Sequence, residues 1–103
     1  MSYRSTMGQA IRELRFVMCQ QSGASTGARQ FVNNNYAQIK STNPTLPFIV
    51  RECYGAQPTV WARYDFGKER RVYLNDLNEQ EVDQVVQELV EQASDVNAAM
   101  PGH

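Results

Sequence analysis

Two cysteines, one histidine and one tryptophan are all that the 103 residues hold of those types. The histidine is His103, the last residue, so no Ser-His-Asp set and no histidine-based metal site is expected. Two cysteines are too few for a disulfide-built secreted domain, which points to an intracellular compartment. No apolar run approaches the roughly 18 residues that a membrane span needs. No apolar core of a secretory signal follows Met1, and no glycine-rich phosphate loop occurs. Asp65-Phe66-Gly67 spells a kinase triplet without any companion motif and reads as a hairpin turn.

Positive charge is absent from one region and in excess in the other. The formal net charge is −1, so bulk electrostatics do not favour nucleic acid. Through Asn78 there are 10 basic residues against 5 acidic ones. From Glu79 on there are 6 acids (Glu79, Glu81, Asp83, Glu88, Glu91, Asp95) and no lysine or arginine. The chain therefore reads as a mildly basic body followed by an acidic helix. Its length allows one domain with one modest core.

Hydrophobic periodicity orders the elements. Leu14–Cys19 is apolar on both faces except for Arg15, as a central strand would be. A polar loop follows, and Ser25 stands where it would cap a helix. Phe31, Val32, Tyr36 and Ile39 recur at helical spacing up to about Thr42. Asn33, Asn34 and Asn35 are weak helix formers, so that helix depends on packing. Pro44 ends it by disfavouring the helical region at Asn43. Phe48–Glu52 is a second strand, and strand, helix and strand make a right-handed parallel unit. Thr59–Tyr64 and Arg70–Leu74 form a hairpin around the Asp65–Lys68 turn. Asn78 with Glu81 is a capping box, stapled by Leu77 and Val82. Val82, Val85, Val86, Leu89, Val90 and Ala93 then form one apolar stripe.

The order is strand, helix, strand, strand, strand, helix. A strand that delivers a cysteine to a helix start is the redox site of thioredoxin-like proteins, so the expected fold is α/β and thioredoxin-like. It would have a four-stranded mixed sheet (βαβββα) with two helices packed on one face. Residues 1–12 are expected to be a flexible N-terminal segment, 13–95 the domain and 96–103 a flexible tail. The first twelve residues carry Arg4, Arg12 and no acid, a composition compatible with a weak matrix-targeting segment or with a frayed end. About five residues separate Cys53 from Thr59, too few for a helix over the second face.

Strand parity makes that open face specific. The helix side would hold Leu14, Phe16, Met18, Phe48, Val50, Val60, Ala62, Tyr64, Val72 and Leu74. The other side would hold Arg15, Val17, Cys19, Ile49, Arg51, Cys53, Trp61, Arg63, Arg71 and Tyr73. Arginine, tryptophan and tyrosine together are the composition of a protein interface at its hot spots. Arg15, Arg51, Tyr54, Trp61, Arg63, Arg71 and Tyr73 are the candidate partner-contacting residues. A solvated hairpin face is the alternative.

The thiol chemistry is incomplete. Cys19-Gln20-Gln21-Ser22 has serine where a resolving cysteine would stand. Cys19 and Cys53 end neighbouring parallel strands, within reach of a disulfide that would close a loop of about 35 residues and stabilise by about 3–4 kcal/mol. Two packed thiols, or a single activated Cys19, are the other readings. Pro58 precedes the third strand where a cis proline sits in thioredoxin-like folds. A cis peptide is the expectation, with a trans proline opening the strand as the alternative.

The runs Leu14–Ser22, Asn43-Pro44 through Arg51-Glu52-Cys53, and Trp61-Ala62-Arg63-Tyr64 followed by Phe66-Gly67 carry a resemblance. They are similar to the alpha subcomplex subunit 2 family of NADH dehydrogenase (ubiquinone), small accessory subunits of mitochondrial respiratory complex I. The similarity spans roughly residues 9–95. It implies a thioredoxin-like fold and a non-catalytic accessory role without cofactor. It also implies a peripheral place on the matrix side of the inner membrane, against other complex I subunits such as the large iron–sulfur subunit of the NADH-oxidising module; contact with nucleic acid is not expected, on the charge balance above. Cys19 and Cys53 match the family's cysteines, which implies a capacity for a disulfide. Some mitochondrial ribosomal proteins share the domain. A ribosomal protein, or a monothiol redox protein using Cys19, is the alternative function.

Overall fold

In a computed structural model, which describes residues 3–98, four strands pair in the order β2-β1-β3-β4. The elements are α1 (Met7–Ala10), β1 (Glu13–Met18), α2 (Thr26–Thr42), β2 (Phe48–Glu52), β3 (Thr59–Arg63), β4 (Glu69–Tyr73), α3 (Glu79–Glu91) and α4 (Ala93–Ala98). β1 runs parallel to β2 and antiparallel to β3, and β3 is antiparallel to β4. The expected α/β architecture with a mixed sheet is what forms.

Alternation along β1 places Leu14, Phe16 and Met18 in the core. Phe16 lies between Phe31 of α2 and Phe48 of β2, each ring centroid 5.8 Å away. Phe31, Val32 and Ile39 bury one side of α2, so packing compensates for its asparagines. Gly27 lets the start of α2 approach the segment before α3, since a Cβ there would lie 1.9 Å from the Leu77 carbonyl oxygen. The capping box of α3 is complete: Asn78 Oδ1 accepts the Glu81 N–H at 2.8 Å, and Glu81 Oε1 accepts the Asn78 N–H at 2.9 Å. Val82, Val86, Leu89 and Val90 are buried, each stabilising by about 1.5–3 kcal/mol relative to exposure. The Tyr64 hydroxyl donates to the Leu89 carbonyl at 2.7 Å, and burial pushes its pKa up.

Four local expectations give way. Residues 3–12 pack against the domain: Met7 and Ile11, one helical turn apart, are fully buried. Asn43 fastens them, accepting the Gly8 N–H at 2.8 Å and donating to the Arg4 carbonyl at 2.6 Å and the Ile39 carbonyl at 3.0 Å. Tyr3 and Arg4 also reach Asp83 of α3, and burial against Asp83 drives the Tyr3 phenol far above its ordinary range. At the other end Val96 is buried within α4, so the chain is not loose from residue 96; residues 99–103 of the expected tail lie outside the described residues. Ser25 stands at the N-cap position of α2 without capping it; its hydroxyl accepts the Cys19 N–H at 3.3 Å instead. The Gln57–Pro58 peptide is trans, corrected from the expected cis because the proline simply opens β3, in the intrinsically favoured isomer. The Pro58 carbonyl accepts the Leu74 N–H at 2.8 Å.

Candidate functional site

The loop from Cys53 to Pro58 contains no helix, and among the described residues none covers the second face of the sheet. Strand register sorts that face into three cross-strand rows. Ile49, Arg15, Trp61 and Arg71 line up across all four strands. Arg51, Val17, Thr59 and Tyr73 form the second row, and Glu13, Arg63 and Glu69 the third. Trp61 is thus flanked by two arginines. Arg51, Arg71 and Tyr73 are exposed, and Arg15, Trp61 and Arg63 half-buried.

Glu13 organises the centre. One carboxylate oxygen accepts from Arg15 at 2.6 and 3.0 Å, and the other faces Arg63 at 3.2 Å. The Arg63 Nε is buried without a hydrogen-bond partner. Arg71 lies over the Tyr73 ring, 5.2 Å from its centroid. The parity prediction therefore brings Arg15, Arg51, Trp61, Arg63, Arg71 and Tyr73 onto one face. Tyr54 lies apart, in the loop after β2, and is 89% exposed. Sequence reasoning passed over Glu13, although its parity with Arg15 is the signal that finds it; Ile49 falls on this face by parity but is not among the candidate contacting residues.

The cysteines do not pair. Cys19 is buried and Cys53 exposed, and both are free thiols. β1 ends at Met18, and Cys19, the next residue, is covered where the loop carrying Gly55 crosses it. Cys19 Sγ accepts the Gly55 N–H at 3.4 Å. That bond, helped by the Gln21 and Ser22 N–H groups and by Arg29, lowers the thiol's pKa. Arg29 Nη1 donates to the Cys19 and Ser22 carbonyls at 2.7 and 2.9 Å, holding the loop. Ser22 Oγ accepts the Ala24 N–H at 3.1 Å. A cleft of about 130 Å³ runs from Cys19 past Glu52 to Cys53 and Tyr54. A thiolate in such a cleft has nucleophilic character, but no second thiol follows at the helix start. Among the described residues no three His, Cys, Asp or Glu side chains gather as a metal set, and no helix is long and apolar enough to cross a membrane.

The described domain is thus a small mixed sheet with helices on one side, a bare arginine-and-aromatic face on the other and an unpaired thiol in the loop before α2. Residues 28–79 match the family model described as the mitochondrial ribosomal protein L51 / S25 / CI-B8 domain. Two similar proteins carry the name NADH dehydrogenase [ubiquinone] 1 alpha subcomplex subunit 2. The one from Arabidopsis thaliana is 46% identical over 90 residues, 87% of this chain and 93% of that protein. The one from Mus musculus is 42% identical over 80 residues, 78% of this chain and 81% of that protein. The NADH-ubiquinone oxidoreductase 10.5 kDa subunit of Neurospora crassa is 36% identical over 94 residues, 91% of this chain and all of the relative. The chain belongs to the family of NADH dehydrogenase [ubiquinone] 1 alpha subcomplex subunit 2.

Proposed function

We propose that the chain is a non-catalytic accessory subunit of mitochondrial NADH:ubiquinone oxidoreductase, docked through its open sheet face on the matrix arm and supporting that arm's assembly or stability. The names of its relatives support the complex. The observation that carries the docking face is the row Ile49–Arg15–Trp61–Arg71, which runs unbroken across the sheet with no helix over it among the described residues. Four arginines face outward there against Glu13 and Glu69, so the surface suits a partner with an acidic rim and an apolar centre. The large iron–sulfur subunit of the NADH-oxidising module is the partner in this reading, and the position is peripheral, on the matrix side of the inner membrane. The element order supports a thioredoxin-like ancestry. Ser22 in place of a resolving cysteine argues against dithiol exchange, and the acidic α3 argues against burial in ribosomal RNA.

Replacing Trp61 and Arg63 together by alanine tests the reading in cells that lack the native chain. The double variant should keep its circular dichroism and a cooperative melt, lowered by several degrees at most, yet be depleted from the assembled oxidoreductase on native gels, with NADH oxidation by the membranes falling in step. Normal incorporation would reject this face. Absence of the unmodified chain from the assembly would reject the function.

A further inference from the structure

The two edges of the sheet are built differently. β4 presents Glu69, Arg70 and Arg71 in sequence, and Arg70 is tied to Gln92 at 2.7 Å. Charge of that kind discourages pairing with another strand. β2 presents Phe48, Ile49 and Val50, and Ile49 and Val50 are 37% and 36% exposed.

The backbone of β2 has an ordered free side. The Pro47 carbonyl accepts the Leu14 N–H at 3.0 Å, and the Cys53 N–H donates to the Met18 carbonyl at 2.9 Å. Strand residues send both backbone groups to one side and alternate sides along the chain. Residues 49 and 51 therefore also face β1. Phe48, Val50 and Glu52 turn their N–H and C=O groups to the free edge, where no described strand stands.

Beside that edge runs a groove between β2 and α2. One part, about 480 Å³, is walled by Val32, Tyr36, Phe48 and Val50. It continues into a part of about 400 Å³ walled by Arg29, Gln20 and Glu52. Val50 was expected in the core, and it is this groove that leaves it exposed. Glu52 is engaged by Gln20 at 2.6 Å. Arg29 at the groove end and Arg51 on the other face have no carboxylate within ion-pair distance among the described residues.

From these observations we infer that β2 accepts an extended segment of a neighbouring subunit as a fifth strand, its alternate apolar side chains entering the groove beside Phe48 and Val50 and its carboxylates meeting Arg29 and Arg51. Main-chain pairing supplies affinity and the groove supplies selectivity, as in other strand-addition interfaces. The inference rests on the accessory-subunit reading and gives that reading a second contact, continuous with the open face through Ile49 and Arg51.

Hydrogen exchange resolved to single amides, on the chain alone and within the purified oxidoreductase, tests it. Val50 and Glu52 amides should exchange quickly in the free chain and slow by about a hundredfold or more in the assembly. The amides at 49, 51 and 53 should be protected in both. Val50→Pro, which removes one outward donor and no bond to β1, should fold and fail to stay in the assembly. If the chain is incorporated but Val50 and Glu52 still exchange quickly, strand addition is overturned while docking by the open face stands. If the free chain gains the same protection as its own concentration rises, the occupant is a second copy and the inference falls. If the chain is absent from the assembly, the inference and the functional reading fall together.

Discussion

Cys19 holds its proton less tightly in the folded chain than an ordinary thiol does, chiefly because Gly55 donates its N–H to the sulfur. Between the lowered pKa and that of the unfolded thiol, the unfolded chain binds more protons, so stability rises with pH across that window. The contribution is complete above the unfolded thiol's pKa and is lost as pH falls through the lowered one. In reducing buffer, the urea midpoint of the wild-type chain should therefore exceed that of Cys19→Ala by more at about pH 9 than at about pH 6. An equal gap at both values would show that the thiolate is not favoured. The importance of Cys19 was legible from its place at the end of an apolar strand. Its burial was not, because strand parity stops applying one residue after the strand does. Gly27 was equally silent: its need for contact with the Leu77 carbonyl joins residues fifty positions apart, which no local pattern encodes.

At the scale of elements, the strands, α2 and α3 were readable because each carries a pattern or a cap that acts locally: the continuous apolar run of β1, alternation in β3, the capping box at Asn78, the break at Asn43-Pro44. The N-terminal segment was not, because a single helical turn with two apolar residues has no period to detect. Its order comes from a distant group, the Asn43 side chain, which spans Arg4, Gly8 and Ile39 with both its amide ends. Asn43 is also the C-cap residue of α2, so one buried side chain closes a helix and fastens the chain's beginning. Asn43→Ala leaves the Gly8 N–H and two carbonyls without that partner and should destabilise by about 2 kcal/mol. It should also speed hydrogen exchange across residues 3–11 well before the sheet opens. A variant in which the segment and the sheet open together, at unchanged midpoint, would mean that Met7 and Ile11 hold the segment without Asn43.

For the whole molecule, the consequence of one-sided layering is an asymmetry that a pair of substitutions can measure. Phe16 and Trp61 sit on strands that touch, one residue out of phase. Phe16 is fully buried among Phe31, Phe48 and the rest of the helix-covered core. Truncating it to alanine removes a ring from a close-packed region and should cost about 3–5 kcal/mol. Trp61, the larger side chain, lies on the uncovered face between Arg15 and Arg71, where truncation opens no cavity. Trp61→Ala should cost the isolated chain about 1 kcal/mol or less. The order of the two effects is thus opposite to the order of side-chain size, which a sheet buried on both faces would not produce. Once a partner lies on the open face, the same tryptophan becomes a desolvated anchor of the kind that costs 2 kcal/mol or more to truncate, on the order of thirtyfold in dissociation constant. Chemical denaturation of the free variants and competition between wild-type and Trp61→Ala chains for a place in the assembly measure the two halves of this contrast. Equal and large costs for Phe16→Ala and Trp61→Ala in the free chain would mean that both faces are already covered, and the argument for an outside partner would lose its basis.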